Sequence, residues 1–250
     1  MNDVRIKFRV PGADSRRPLR ASAPSTAGAD RSILADANAT VFLIDDDRAM
    51  ADAMLALLRL EGLRAKAYYR ASDFLSEYDD RVPGCLVSDV RLPDMSGVEL
   101  QSALSARRFS PPMVLITGHA DVPTAVRAMS AGAVDFIEKP FSDEALLRSV
   151  RRALAIDAVR RQEAGLAETI AQRQALLTPQ EHKVYELLVA GRQNKEIAYV
   201  LSISPRTVEK YRAWVMAKMQ ARTLADLVRM ALVAPTAAGE SIPPAATPSS

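Results

Sequence analysis

The feature that most constrains this 250-residue chain is a fivefold alternation, over residues 40–157, of short apolar runs with segments whose apolar residues recur every three or four positions. A short apolar run bounded by turn residues reads as a buried strand, and the three-to-four spacing reads as an amphipathic helix. The pattern predicts strands at Val41 to Ile44, Ala65 to Tyr69, Gly84 to Asp89, Met113 to Thr117 and Val134 to Glu138. Helices are expected through Met50, Met54, Leu57 and Leu58, through Phe74 and Leu75, through Val98, Leu100 and Leu104, from Val122 to Met129, and from Asp143 to about Asp157. Such alternation implies a parallel sheet covered by helices on both faces. Right-handed crossovers then favour an α/β doubly wound, five-stranded parallel sheet of order 2-1-3-4-5, with a crevice at the carboxyl ends of strands one and three.

That topology gathers chemistry at one edge. Asp45 and Asp46 follow strand one, Asp89 closes strand three, and Thr117 and Lys139 stand at the ends of strands four and five. Three carboxylates within a few ångström repel one another, so they take up protons or hold a cation. Oxygen ligands at a site open to water suit Mg²⁺ and leave room for phosphate oxygens. With the metal and the Lys139 ammonium neutralising charge, Asp89 is placed to attack phosphorus and become an acyl phosphate, and the Thr117 hydroxyl can turn towards the phosphoryl oxygens. An acidic helix N-terminus at Asp45 to Asp47 that merely complements the helix dipole accounts for one acid and leaves the other residues unexplained.

The flanks differ in kind. Residues 1–38 are rich in Ala, Arg, Ser, Asp and Pro without apolar periodicity, and residues 235–250 in Pro, Ala and Ser, so both are expected to be disordered tails. No run approaches a membrane span and the N-terminal stretch lacks the apolar core of a signal peptide, which predicts a cytoplasmic protein without a membrane partner. The single cysteine, Cys85, lies inside an apolar run and is expected to be a small packed hydrophobe. Charge is asymmetric: residues 40–157 carry 14 basic and 18 acidic side chains, residues 178–234 carry 9 and 5. A compact basic block suits a polyanion such as nucleic acid.

Residues 158–176 are dominated by helix formers with sparse apolar points at Leu166, Ile170 and Leu176, and are expected to form a helical linker into which the last receiver helix can continue. At Thr178 a capping box with Glu181 and a proline at the first helical position open a helix carrying Val184, Leu187 and Leu188. A short helix from Asn194 to Leu201 follows. A further cap at Ser204-Pro205 starts a helix to about Met219 that buries Val208, Val215 and Met219, and Leu224 to Leu232 makes a fourth. Two helices joined by a tight turn, the later one basic, read as a small all-α helix-turn-helix domain over 177–234 whose later helix enters a major groove.

The segments Ile44-Asp45-Asp46-Asp47, Asp89 to Gly97, Ile116-Thr117-Gly118-His119 and Phe136 to Phe141 resemble the flavodoxin-like receiver domain of two-component response regulators, over residues 39–157. The resemblance implies that Asp89 is the phosphoacceptor and that Asp46, Asp89 and the backbone carbonyl of Arg91 bind Mg²⁺, with Asp45 acting through a metal-bound water. It implies that Lys139 pairs with the phosphoryl group and that Thr117 and Phe136 form the switch pair. His119 is expected to be a loop residue, because the phosphodonor histidine belongs to a separate sensor histidine kinase, and His182 is given no role.

The motifs Leu177 to Glu181, Gly191, Asn194 to Ala198 and Ser204 to Glu209 are similar to the LuxR-type output domain, and the pairing with this receiver looks most like the FixJ subgroup. By position, Glu209, Lys210 and Ala213 would face bases, while Lys195, Arg206, Thr207, Arg212 and Lys218 would contact phosphates. Tyr211 and Trp214 stand where this family commonly has His and a polar residue. The implied function is a phosphorylation-dependent transcriptional regulator. Its partners would be a cognate sensor histidine kinase, double-stranded promoter DNA, RNA polymerase and, on phosphorylation, a second copy of the chain. An enzyme, for example a Mg²⁺ phosphohydrolase, is not expected, since no substrate pocket or lid is evident. A regulator that binds DNA without phosphorylation, its receiver serving as an interaction module, is the alternative.

Overall fold

Strands β3 (Gly84–Asp89) and β4 (Met113–Thr117) are buried along their whole length, which is why their sequences run apolar without alternation. The structure, a computed structural model, describes residues 38–107, 110–118 and 122–234. The tails expected over 1–38 and 235–250, apart from Asn38, and His119 lie outside the described residues.

With β1 (Thr40–Ile44), β2 (Arg64–Tyr68) and β5 (Asp135–Glu138), these strands form one parallel sheet in the order β2-β1-β3-β4-β5. The register sets Ile44 opposite Ser88 and Asp89 opposite Ile116, so the chain leaves β1 and β3 side by side. Tyr69, expected in the second strand, lies past its end, where the Arg48 guanidinium covers its ring at 4.4 Å. Because side chains alternate across a strand, Phe42, Ile44, Leu86 and Leu115 face one layer. They pack there against Phe74 of α2 (Ala71–Glu77), Leu100 and Leu104 of α3 (Gly97–Ser105) and Ala128 of α4 (Val122–Ser130). Phe42, Phe74 and Tyr78 interlock there, with ring centroids 4.9 to 5.7 Å apart. On the other side α1 (Arg48–Leu60) and α5 (Asp143–Ala175) cover the sheet.

The last receiver helix passes Asp157 and continues as the connector. It runs unbroken for 33 residues, about 50 Å at 1.5 Å per residue. Asp157 and Arg161 hold it to the sheet: the buried Asp157 carboxylate accepts the Gly84 N–H at 2.8 Å and pairs with Arg161 Nε at 2.8 Å. The Arg161 guanidinium also donates to the carbonyls of Asp80 and Val82. Further along, Ile170 is buried in a second core with Val184, Leu188, Ile197, Val208, Val215, Met219 and Leu227. Gln174 donates to the Tyr185 hydroxyl and to the Ala234 carbonyl. The contacts of α5 thus pass from one core to the other, leaving few residues between.

That second core is built by α6 (Pro179–Val189), α7 (Asn194–Val200), α8 (Pro205–Met219) and α9 (Leu224–Val233). Each boundary has a local cause. Thr178 and Glu181 form a reciprocal box ahead of α6, Ser204 caps α8 with proline following, and Thr223 with Asp226 boxes α9. Gln220, in the left-handed region at φ 54°, ends α8.

Candidate functional site

Asp45 and Asp89 meet because β1 and β3 are neighbours, and Lys139 joins them because β5 ends on the same edge. Lys139 Nζ lies 2.7 Å from Asp45 Oδ2 and 2.5 Å from Asp89 Oδ2. Asp45 is buried, and its second oxygen accepts the Asp47 N–H at 3.0 Å. Burial pushes the Asp45 carboxyl above its ordinary value despite the Lys139 ammonium beside it. For Lys139, burial works against the charge, yet the two carboxylates outweigh it and hold the ammonium above its usual value. Asp89 keeps Oδ1 on the Arg91 N–H, at 2.7 Å.

Asp46 does not join this cluster. It is exposed and lines, with Asp89, Arg91, Gly118 and Lys139, an open cleft of about 530 Å³. Thr117 is buried at the end of β4, its carbonyl accepting the Lys139 N–H at 2.7 Å. Phe136 is half-buried and packs against the receiver core. Among the described residues no group of three or more His, Cys, Asp or Glu side chains forms a ready cage for a metal. The donors that the cleft does present, Asp46 and Asp89 with main chain at Arg91, are oxygen ligands open to water, the set that suits Mg²⁺, an ion that binds through few carboxylates and keeps its waters.

Gly97 is required next to this site. A Cβ there would come within 2.8 Å of the Asp89 carbonyl and 2.7 Å of Leu115 Cδ2. Asp94, in the same turn, accepts the N–H groups of Ala71 and Ser72 at 3.2 and 2.8 Å, and so caps α2 from outside that helix.

In the second core, α8 buries Val208, Val215 and Met219 and turns Arg206, Glu209, Lys210, Ala213 and Trp214 outwards. Lys195, at the start of α7, is exposed. Thr207 is half-buried with its hydroxyl 2.8 Å from Ser204 Oγ, and Arg212 donates to Asn194 Oδ1 at 3.4 Å. The Lys218 ammonium, partly exposed, pairs with the buried Glu181 at 2.6 Å and donates to the Leu176 carbonyl, so the side chain is tied to the start of α6. His182, without an evident partner in sequence, has Glu186 one turn on, Nδ1 to Oε1 3.4 Å.

Residues 41–151 match the response regulator receiver domain family, and residues 175–231 match the bacterial regulatory proteins of the luxR family. The chain is 45% identical over 207 residues to the transcriptional regulatory protein FixJ of Azorhizobium caulinodans, covering 82% of this chain and 97% of that one. This chain belongs to the FixJ-type response regulators. It is similar at 46% identity over 193 residues to FixJ of Rhizobium meliloti, covering 77% of this response regulator and 95% of the relative. It is 36% identical to the response regulator protein TodT of Pseudomonas putida over 197 residues, 79% and 87% of the two chains. The solved structure of the response regulator StyR superposes with a TM-score of 0.70 at 40% identity, covering 78% of this chain and 98% of that one. A receiver joined to a LuxR-type DNA-binding domain makes this response regulator a transcriptional regulator. Among its described residues no helix is long and apolar enough to cross a membrane.

Four features of this response regulator escaped sequence reasoning. The Asp157 and Arg161 clamp had a signal, an i,i+4 acid and base pair at the edge of an apolar helix face. The Asp94 cap and the Glu181 to Lys218 pair join residues 22 and 37 positions apart and had none. The Lys210 ammonium stacked over Trp214 again had i,i+4 spacing.

Proposed function

We propose that this regulator takes its phosphoryl group on the Asp89 carboxylate, supplied by a cognate sensor histidine kinase in the cytoplasm, and answers by binding promoter DNA through α8. The observation that carries the proposal is the Lys139 ammonium shared between Asp45 and Asp89 at an open cleft that Asp46 also lines. An ammonium on Asp89 Oδ2 offsets the repulsion between that carboxylate and an incoming phosphoryl group, and it stays in place to pair with the phosphoryl oxygens afterwards. Asp46, Asp89 and the Arg91 carbonyl would hold Mg²⁺, with Asp45 behind them, and the ion would add positive charge at the same place. The Arg91 N–H on Oδ1 fixes the rotation of the Asp89 carboxylate, so that the Lys139-paired oxygen is the one presented.

Thr117 and Phe136 are the pair through which the new charge is read, one at the end of β4 and one on β5. The response is a population shift towards a dimer whose output domains occupy paired half-sites and engage RNA polymerase. At the DNA, Glu209, Lys210 and Ala213 face bases, and Lys195, Arg206, Thr207 and Arg212 contact phosphates; Lys218 is left out because Glu181 holds it. In this reading the receiver spans 39–157, a helical linker 158–176 and the output domain 177–234. The reading needs no turnover of a small substrate.

Acetyl phosphate with Mg²⁺ should give a phosphorylated species on a phosphate-affinity gel and raise both dimer fraction and promoter affinity. Asp89→Asn, or chelation of Mg²⁺, should abolish all three effects. A wild-type protein that stays unmodified, or an Asp89→Asn variant that regulates a reporter like wild type, would overturn the proposal.

A further inference from the structure

Trp214 is the single tryptophan of the chain, and 43% of its surface is exposed on α8. One exposed apolar side chain is ordinary on a protein surface and carries nothing by itself. Here the ring is held and in turn holds something. Tyr211, half-buried against the second core, meets the indole edge-on, with centroids 5.5 Å apart and planes at 78°. On the ring face sits the Lys210 ammonium, 4.8 Å from the centroid. A lysine has four flexible bonds and ordinarily samples many positions; the cation–π contact restricts this one. The core therefore positions Tyr211, Tyr211 positions Trp214, and Trp214 positions Lys210.

The place of this ladder on the helix matters as much as its rigidity. At 100° per residue, the buried Val208, Val215 and Met219 define the inner face, and Arg206, Lys210, Ala213 and Ala217 lie opposite it. Trp214 lies on the flank of that outer stripe, one turn beyond Lys210. Two of the stripe's residues, Ala213 and Ala217, are small and exposed, so the indole has open space on the side towards them. A flat apolar edge on the flank of a groove-entering helix matches the methyl group that thymine alone presents in the major groove. A restrained ammonium beside it matches the O6 and N7 acceptors of guanine.

We propose that Trp214 is a DNA-specificity residue: its indole edge makes van der Waals contact with a thymine methyl, while its face fixes Lys210 for a guanine at the adjoining step. The inference rests on the reading that α8 enters the major groove. It adds that Trp214 and Lys210 act as one unit, and that the target contains a guanine and a thymine side by side.

The test uses the full-length protein phosphorylated with acetyl phosphate. A random duplex pool is selected on wild type, and each thymine of the selected site is then replaced by uracil, which removes the methyl alone. One uracil position should weaken wild-type binding about 4-fold, the value of one buried methyl, and should leave Trp214→Ala indifferent. Lys210→Gln should lose discrimination at the adjoining guanine, and the Trp214 emission should change on titration with the selected duplex. Trp214→Phe keeps an aromatic ring and should retain part of the uracil sensitivity, which shows that the loss in Trp214→Ala is not a folding defect. Selection of a site by wild type together with unchanged affinity and uracil sensitivity in Trp214→Ala overturns this inference and leaves the groove reading standing. A wild-type protein that selects no sequence overturns the groove reading and the inference with it.

Discussion

Asp94 does its structural work on a helix to which it does not belong. Partial burial raises its pKa, but the N–H groups of Ser72 and Ala71 outweigh that effect and hold the carboxyl at about 2. A depressed pKa means that the stabilisation is present above the ordinary value of 3.8 and is lost as pH falls towards 2. Asp94→Ala should cost about 1 kcal/mol of receiver stability, the usual value of a helix cap, and should remove that part of the acid dependence in urea titrations between pH 5 and about pH 2. Lys218 and Arg206 offer the complementary comparison on the output domain. Pairing with Lys218, helped by the Thr178 N–H, lowers the Glu181 carboxyl below its ordinary 4.5, so that stabilisation is present above that value and fades as pH falls through the lowered one. Lys218→Ala should therefore lower the melting temperature with the salt dependence of DNA binding unchanged. Arg206→Ala should leave melting unchanged and reduce the slope of log affinity against log salt by about 1.

At the scale of elements, the Asp157 and Arg161 pair anchors α5 to the edge of the receiver where the helix runs on beyond it. Arg161 reaches the carbonyls of Asp80, Arg81 and Val82, and Asp157 holds Gly84, the first residue of β3. Arg161→Ala strands a carboxylate whose side chain is 5% exposed. We expect a loss of about 3 kcal/mol in urea denaturation and faster amide exchange at Gly84, since a buried charge deprived of its partner is costly. Two core-facing strands were legible as unbroken apolar runs because both their faces are covered. The helix boundaries at Thr178, Ser204 and Ser96 were legible because a cap is a local pattern of three or four residues. The continuity of α5 past Asp157 was legible only as helix propensity over 158–176, which a separate linker helix satisfies as well. Some of the contacts that hold it, Arg161 to Asp80 and Arg173 to Met219, join residues 81 and 46 positions apart.

At the scale of the whole molecule, one helix carries side chains of both cores, from Leu146 in the receiver to Ile170 in the output domain. Gly165 lies between them, and a Cβ there would meet nothing within 4 Å. Gly165→Ala should raise helix stability by about 0.5 to 1 kcal/mol, whereas Gly165→Pro should break the helix at a cost of about 3 kcal/mol. If the intact helix carries the signal, Gly165→Pro should still accept phosphate from acetyl phosphate but should no longer gain promoter affinity, and Gly165→Ala should keep both responses. Equal gains in promoter affinity for wild type and Gly165→Pro would assign the signal to another route.

Spacing along the chain was enough to settle the strand order, the gathering of Asp45, Asp89, Thr117 and Lys139 at one edge, and the capped helices of the output domain, because parallel crossovers are right-handed and caps are local. Folding in three dimensions decided which acid is buried against Lys139 and which faces water, since neighbouring Asp45 and Asp46 point to opposite sides of the chain as it leaves β1. It also brought Lys218 to Glu181, because the two helices that carry them pack through a core built from residues far apart in sequence.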